Sequence, residues 1–489
     1  VVKEPPLLEV SGFLGLDLRR GVDASAPNTL RQADNLDFTI GGGVKSRAQL
    51  RLVATVDSTS LGLYKCNGFL RCAVPVPASG VFPDSPPGFR YDFFSNNVTG
   101  GNTGTLLRLT GAQVWNRTPY ICIEKYLDPS NTALGTQYEH HYVPEADVFT
   151  IAAIGKTQVT LPFTPGPHLF AMSRKIIAND ITTSNVWFSS TINGPTDWTN
   201  SGDAGFLPVT QHVNGDPEVR GFSYFGNKLA VFFFDTTQLW SFFPDPADNE
   251  LSDIVGGAGT EQSGSIANIM GDSIYFASGG FRSLSIVVAS GQSQDGDIGA
   301  AIQAETKQLV LTGKRLVSLW SPSRSQYLCA IGNLMYVFTS SRQGPDGQPL
   351  QGWTKYILPT GFNVTDMVEL NAKVYVRSGT SVYVFDDTYT GEIGYSWTAR
   401  FPYLYAGATG NKKQWISYEV AQSGTHALTL YPKVRDETVT HKGPTVAGST
   451  IGINHIPIRI VSDAISPKMT GTGAWQMDSF SFRVKVGNA

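Results

Sequence analysis

The sequence predicts an all-β protein: a β-propeller with a platform built from an N-terminal arm and a C-terminal β-sandwich-like segment. The first observation is a repeated phrase, a polar turn followed by a strand of aromatic and β-branched residues, a second tight turn and another strand. It begins at Gly226 (Gly226-Asn-Lys-Leu-Ala-Val-Phe-Phe-Phe), returns at Gly271 (Gly271-Asp-Ser-Ile-Tyr-Phe-Ala-Ser-Gly-Gly-Phe), and returns more weakly at Asn371 (Asn371-Ala-Lys-Val-Tyr-Val). The second is spacing: the first two copies start about 45 residues apart, the period of a four-stranded propeller blade. The third is composition, with 51 Gly, 28 Pro and 11% aromatic residues against only 16% charged ones in 489 residues. That balance suits strands that bury rings and reversals that need Gly, Pro, Asn and Asp. A chain of this length holds two or three domains, and the repeat sets the blade count at roughly five to seven.

Residues 1–52 do not read as a blade. Asp34-Asn-Leu-Asp-Phe-Thr-Ile40 runs into Gly41-Gly-Gly-Val-Lys-Ser-Arg47, and three glycines after a strand suit a sharp reversal at positive φ. This segment is expected to be an arm packed on another part of the molecule. The propeller is expected over 53–397, opening with strands at Ser60–Tyr64 and Phe69–Val74. A long loop region at about 75–110 interrupts it. Its core, Pro77 to Gly104, is dense in Pro, Gly, Asn and Ser, and reads as a projecting loop. Further strands are expected at Asp147–Ile154, Gln158–Leu161 and Asn185–Ser190, with a turn from Gly194 to Trp198. Asp297–Leu309 is the one persuasive helix, with Asp297 as its N-cap and Glu305 interrupting its apolar face. Ser325–Ile331 and Leu334–Phe338 read as a hairpin through Gly332-Asn333, and Gln351–Ile357 closes that blade. Over 398–489 the texture changes to strands at Gln414–Val420, Ala427–Val434, Ile458–Val461 and Phe480–Val486, without a blade period.

Composition also excludes. A net charge of −3 argues against a general nucleic-acid binder, which needs a basic surplus. No apolar run approaches the length of a bilayer-spanning helix, and Val1-Val-Lys-Glu-Pro-Pro does not read as a signal peptide. Cys66, Cys72, Cys122 and Cys329 have no metal-type spacing. Cys66 and Cys72 fall on one expected hairpin, where they either pair or remain buried thiols.

The search for chemistry returns no catalytic, cofactor-binding or metal-binding residues, and the chain is not expected to be an enzyme or to need a cofactor. There is no phosphate-binding Gly-Lys-Ser/Thr loop, no Gly-x-Ser-x-Gly elbow and no His-Glu-x-x-His. His140-His141, between Glu139 and Glu145, would point to opposite faces of a strand and is expected in an exposed loop. Asp295-Gly-Asp297 lacks the other positions of a calcium loop. Asp245, Asp248, Glu250 and Asp253 read as a solvated loop. Phe232–Phe234 and Trp240–Phe243 offer rings for sugar stacking, but alternation puts most of them in the core.

Three stretches carry a family resemblance. One is Gly12-Phe, Asp17-Leu-Arg, Ala33-Asp-Asn-Leu-Asp-Phe and Gly42-Gly-Val-Lys-Ser-Arg47. Another is Val186-Trp-Phe-Ser, Asp197-Trp, Gly221-Phe, Gly226-Asn-Lys-Leu-Ala-Val-Phe and Gln238-Leu-Trp. The last is Gly271–Leu284 with Gln326–Asn333. In these the chain resembles the tail nozzle proteins of short-tailed bacteriophages, a group that includes the tail tubular B and packaged-DNA-stabilisation proteins. The match is diffuse but follows the order of the chain, except over 75–165. The resemblance implies a virion tail protein that forms a homohexameric ring below the portal and adaptor, with tail fibres or a tail needle as further partners. Double-stranded DNA would pass through the ring without specific binding. A mildly acidic chain agrees, because each neutralised phosphate adds salt-dependent grip. Two other readings stand beside it: a receptor- or glycan-binding propeller of a host-recognition device, and a propeller glycosidase.

Overall fold

The protein is described by a computed structural model. It covers every residue except 1–6, 20–24, 40, 78–82, 95–104, 127–135, 144–156, 200–201, 214, 278, 292–295, 311, 344–348, 408–409, 435 and 487–489.

Seven small sheets follow one another along the chain. Blade one holds Gly62–Cys66, Phe69–Pro75 and Phe89–Phe94; blade two holds Thr105–Trp115, Thr118–Tyr126, Thr136–Tyr142 and Thr157–Gln158. Blade three is Pro165–Met172, Lys175–Asp180, Val186–Phe188 and Gly205–Leu207. Blade four is Gly221–Phe225, Lys228–Phe232, Thr236–Ser241 and Glu250–Gly256. Blade five has Ala267–Ile269, Asp272–Ala277 and Gly280–Ser283, and blade six has Leu316–Ser321, Gln326–Ile331, Leu334–Gln343 and Pro349–Ile357. Blade seven combines Val364–Leu370, Lys373–Ser378 and Ser381–Asp386 with Gln49–Thr55 from the other end of the chain. The first strand of each blade packs against the first strands of its two neighbours, and the strand at Val364–Leu370 touches both Leu316–Ser321 and Gly62–Cys66. The circle closes, so the fold is a seven-bladed propeller.

The repeated phrase marks the same position in blades four, five and seven. Gly226, Met270-Gly271 and Asn371-Ala372 all form the two-residue turn between first and second strands, with positive φ at each of these residues. Asn67-Gly68, Asn116-Arg117 and Ser173-Arg174 make the same turn in blades one to three, again at positive φ. The aromatic run is mostly core, as expected, but not by alternation: the strand ends at Phe232, and the adjacent Phe232 and Phe233 are both buried while Phe234 is exposed.

The platform interleaves both chain ends. Trp475–Val486 pairs with Leu7–Ser11, Val44–Ser46 and Lys413–Tyr431, while Trp397–Arg400 lies between Gln32–Asp34 and Ser466–Gly471. One pairing, Asp34 with Lys355, joins this sheet to the outer strand of blade six. Lys413–Tyr431 and His441–Ser462 form a long hairpin of 19 and 22 residues. Among the described residues, the other edge of His441–Ser462 has no strand partner. The platform core is aromatic: Phe401 packs at 4.7 Å from Phe480, Phe13 at 5.4 Å from Phe401, and Trp397 stacks on Trp475 at 4.2 Å.

Several expectations change. The segment expected as a projecting loop contains Phe89–Phe94, which runs parallel to Phe69–Pro75 as the third strand of blade one. Its aromatic alternation and the buried Asp92, paired with Arg71 and Tyr64, hold it there despite the flanking Pro and Gly. The strand expected after Phe281 ends at Ser283, whose hydroxyl caps helix α1 (Leu284–Ser290) while Gly291 closes it in the left-handed region. The helix expected from Asp297 starts later, as α2 (Gln303–Val310). Asp297 instead accepts from Gly299 N and pairs with Arg282 at 2.9 Å. The expected strands at 414–420 and 427–434 are one strand, and Gln49–Thr55, which spans the expected boundary after residue 52, belongs to blade seven. Asp147–Ile154 lies outside the described residues.

Candidate functional site at the junction of arm, platform and propeller

The glycine reversal at residues 41–43 returns the arm antiparallel to itself, so that Asn35 and Arg47 meet. Asn35 sits at φ +55, a conformation that Asn tolerates better than most residues. Its Oδ1 accepts from Arg47 Nε (2.9 Å) and from Ile357 N (2.8 Å), and its Nδ2 donates to Ser396 O (2.6 Å). One side chain thus ties the arm to blade six and to the platform. Asp37, two residues on, accepts from Gln326 Nε2 (2.9 Å) and from the Tyr356 hydroxyl.

Arg47 is the centre. It is fully buried and makes a bidentate pair with Glu392, Nη2 to Oε1 at 2.6 Å and Nη1 to Oε2 at 2.9 Å. Glu392 Oε2 also accepts from Leu50 N at 2.6 Å, which anchors the strand that closes blade seven. The guanidinium lies 4.9 Å from the ring centre of Tyr395 and 5.5 Å from that of Tyr356. Burial raises both phenols, Tyr395 to about 12, so neither ionises near neutrality. A charge this deep is tolerated only because every donor near it is matched. The arrangement fastens three parts together; it offers no nucleophile and no open ligand position.

Beside the junction lies a groove of about 720 Å³ that includes Leu52, Ile357, Pro359, Tyr383 and Ile393. Ile393 is 90% exposed there.

The residues singled out by sequence are scattered. Among the described residues no cluster of three or more His, Cys, Asp or Glu could hold a metal. None of the four cysteines is in a disulfide and all are buried; Cys66 faces Phe69 and Cys72 faces Leu63 across the hairpin. Burial pushes the Cys72, Cys122 and Cys329 thiols up to about 12. His140 and His141 are not in a loop but on the third strand of blade two, both buried. His140 meets the Tyr120 hydroxyl at 3.1 Å, and His141 lies 3.4 Å from Glu139. Asp245 caps a short turn, and Glu250 and Asp253 stand exposed on the outer strand of blade four. Asp295 lies outside the described residues. Sequence reasoning missed Glu392, Tyr356 and Tyr395, which carry no local signal; the one hint is a carboxylate in a loop of Thr and Gly.

No family model matches the chain, and no curated protein matches it. Among solved structures it is similar to BamB from Moraxella catarrhalis, at 8% identity over 58% of this chain and 84% of that one, with a TM-score of 0.31. It is also similar to the Pan2 WD40 domain of Neurospora crassa, at 7% identity over 80% of this chain and 98% of that one, with a TM-score of 0.34. For Hsv2 of Kluyvelomyces marxianus the figures are 11% identity, 60% and 89% coverage, and a TM-score of 0.32. The propeller assignment rests on the chain's own strand pairing, which closes the ring without reference to these proteins.

Proposed function

We propose that the protein is a structural subunit of the tail nozzle of a short-tailed bacteriophage, without catalytic activity. It assembles as a homohexameric ring beneath an adaptor, retains packaged DNA and forms the conduit for its ejection. The observation that carries this reading is the junction. Asn35, Asp37 and Arg47, which carry the resemblance in the arm, are the residues that lock both chain ends onto blades six and seven. A subunit that must resist the outward pressure of packaged DNA needs such a rigid joint between its ring-forming and propeller parts. The open edge of His441–Ser462 and the exposed Ile393 supply surface for neighbours.

A receptor- or glycan-binding propeller is the second reading. It draws on one feature, the stack of Phe163, Trp187 and Phe206 on blade three, with centroids 5.1 and 5.2 Å apart and Phe206 42% exposed. Mass photometry of the purified protein, alone and with the virion's adaptor, separates the two. The nozzle reading expects a hexamer that associates with the adaptor. A persistent monomer that binds glycans and ignores the adaptor overturns it.

A further inference from the structure

Among the described residues of the propeller two lysines are buried, and their carboxylate partners are held differently. Lys175, on the second strand of blade three, meets Asp203 at 3.2 Å. Burial alone would raise the Asp203 carboxyl, but donors from Ser190, Thr191 and Lys175 hold it well below the usual range. That pair is a fixed ion pair. Lys125, on the second strand of blade two, meets Glu139 on the third. Here no comparable set of donors surrounds the carboxylate.

Strand register builds the site. Lys125 lies opposite Gln137 and Ile123 opposite Glu139, so Lys125 and Glu139 are diagonal neighbours on one face of the sheet. Lys125 Nζ rests directly against Glu139 Oε1. His141 follows on the same face and brings Nε2 to 3.4 Å from Glu139 Oε2. Gln158, opposite His141 on the outer strand, donates from Nε2 to Glu139 Oε1 at 3.1 Å. The rest of this face is apolar, with Ile121 and Ile123 packed on Phe94 of blade one, whose ring centre is 5.2 Å from that of His141. Lys125, Glu139 and His141 are only 3, 6 and 4% exposed, so bulk water is kept from them. An amine, a carboxyl group, an imidazole and an amide N–H thus meet in one dry corner.

We propose that Lys125 and Glu139 join in a self-formed isopeptide bond that staples the second and third strands of blade two. Burial disfavours separated charges and lowers the basicity of Lys125, which leaves a free amine beside a neutral carboxylic acid. The amine nitrogen adds to Glu139 Cδ, and the negative charge that gathers on Oε1 is met by the Gln158 N–H. His141 takes a proton from the nitrogen and passes it to the Oε2 hydroxyl. The Cδ–Oε2 bond then breaks, one water leaves, and Cδ remains bonded to Nζ as an amide. Amine plus acid gives amide plus water, so the step needs no oxidant, reductant or activated donor. Fixed contact supplies an effective concentration of about 10⁵ M or more, and the dry surroundings oppose hydrolysis. The bond lies within one blade of one subunit and does not depend on the nozzle reading.

Intact-mass spectrometry of the denatured full chain tests the proposal on the wild type itself. The expected mass is about 18 Da, one water, below that of the sequence. Trypsin should not cut after Lys125, because an amide-linked lysine carries no charge for the protease to recognise. Residues 118–156 should therefore appear as one peptide that carries the whole deficit. Lys125→Arg keeps the charge but loses the nucleophilic amine, and should restore the sequence mass. Freshly purified His141→Gln should be mostly unlinked and lose its water at least about tenfold more slowly than the wild type. A histidine that only packs against Phe94 would change the melting temperature and leave that rate alone, so full linkage in this variant overturns the part given to His141. A wild-type mass equal to that of the sequence, with free cleavage after Lys125, overturns the proposal. So does a deficit that survives in Lys125→Arg.

Discussion

In blade four, all strand pairing lies between Gly221 and Gly256, and the two-residue turn at Gly226 places each residue opposite its partner. In the platform, by contrast, Asn35 donates to Ser396 and Ser46 accepts from Trp475, so the contacting residues come from opposite ends of the chain. Six blades are built from local strands that cost little to bring together, whereas the arm's contacts with the platform join residues 361 and 429 apart in the chain and cost more to close. The strand Gln49–Thr55 belongs to both regions. It completes blade seven, and at Leu50 it is anchored by Glu392 of the junction. The stability of the ring and that of the platform should therefore be coupled at this strand and at Arg47.

The largest effect should come from deleting residues 1–55, which removes the closing strand of blade seven together with the arm's share of the platform. The loss should exceed the whole stability of a typical domain, about 5–15 kcal/mol. Near-UV circular dichroism is expected to show no fixed tertiary structure; a truncated chain that still unfolds cooperatively would uncouple the two regions.

The next effect is the buried pair. Arg47→Met leaves Glu392 buried and alone, which should cost about 3–5 kcal/mol in urea unfolding. Adding Glu392→Met should recover most of that loss, because the stranded charge is removed with its partner.

The same contrast decides what was legible in the sequence. The phrases at Gly226, Gly271 and Asn371 announced blades because aromatic strands flank turns rich in Gly and Asn. Ser173-Arg174 makes an equivalent turn at positive φ with residues that give no such sign, so blade three was read only from its later strands. Phe89–Phe94 was hidden by the Pro- and Gly-rich stretches around it, and its parallel pairing has no local signature. The arm was readable as a non-blade segment with a glycine reversal, yet its partners were not, because Glu392 lies 345 residues from Arg47. Alternation put His140 and His141 on opposite faces correctly, but it could not report that the strand is covered on both sides.

Acid should weaken both regions through buried neutral histidines. Burial lowers His140 in blade two to about 3 and His426 in the platform to about 4. These folded values lie below the unfolded value of about 6.5, so their stabilisation is complete above that pH and is lost as pH falls toward the folded values. Melting temperature should accordingly drop from about pH 6.5 downward. His140→Phe should reduce proton uptake on unfolding by about one and leave the platform's share intact.

The smallest effect belongs to the rim of the closing strand. Arg51 pairs with Asp386 at 2.8 Å, but its side chain is 45% exposed. Arg51→Ala should cost no more than about 1 kcal/mol in the same urea titration. A larger loss would mean that closure depends on this surface pair as well as on the junction.

Hydrogen–deuterium exchange on the wild type and Arg47→Met tests the coupling most directly. The account predicts that protection falls together in Gln32–Asp34, Gln49–Thr55, Ser381–Asp386 and Trp397–Arg400, while the inner strands of blades three and four keep theirs. Loss confined to the arm, or spread evenly over all seven blades, would contradict it.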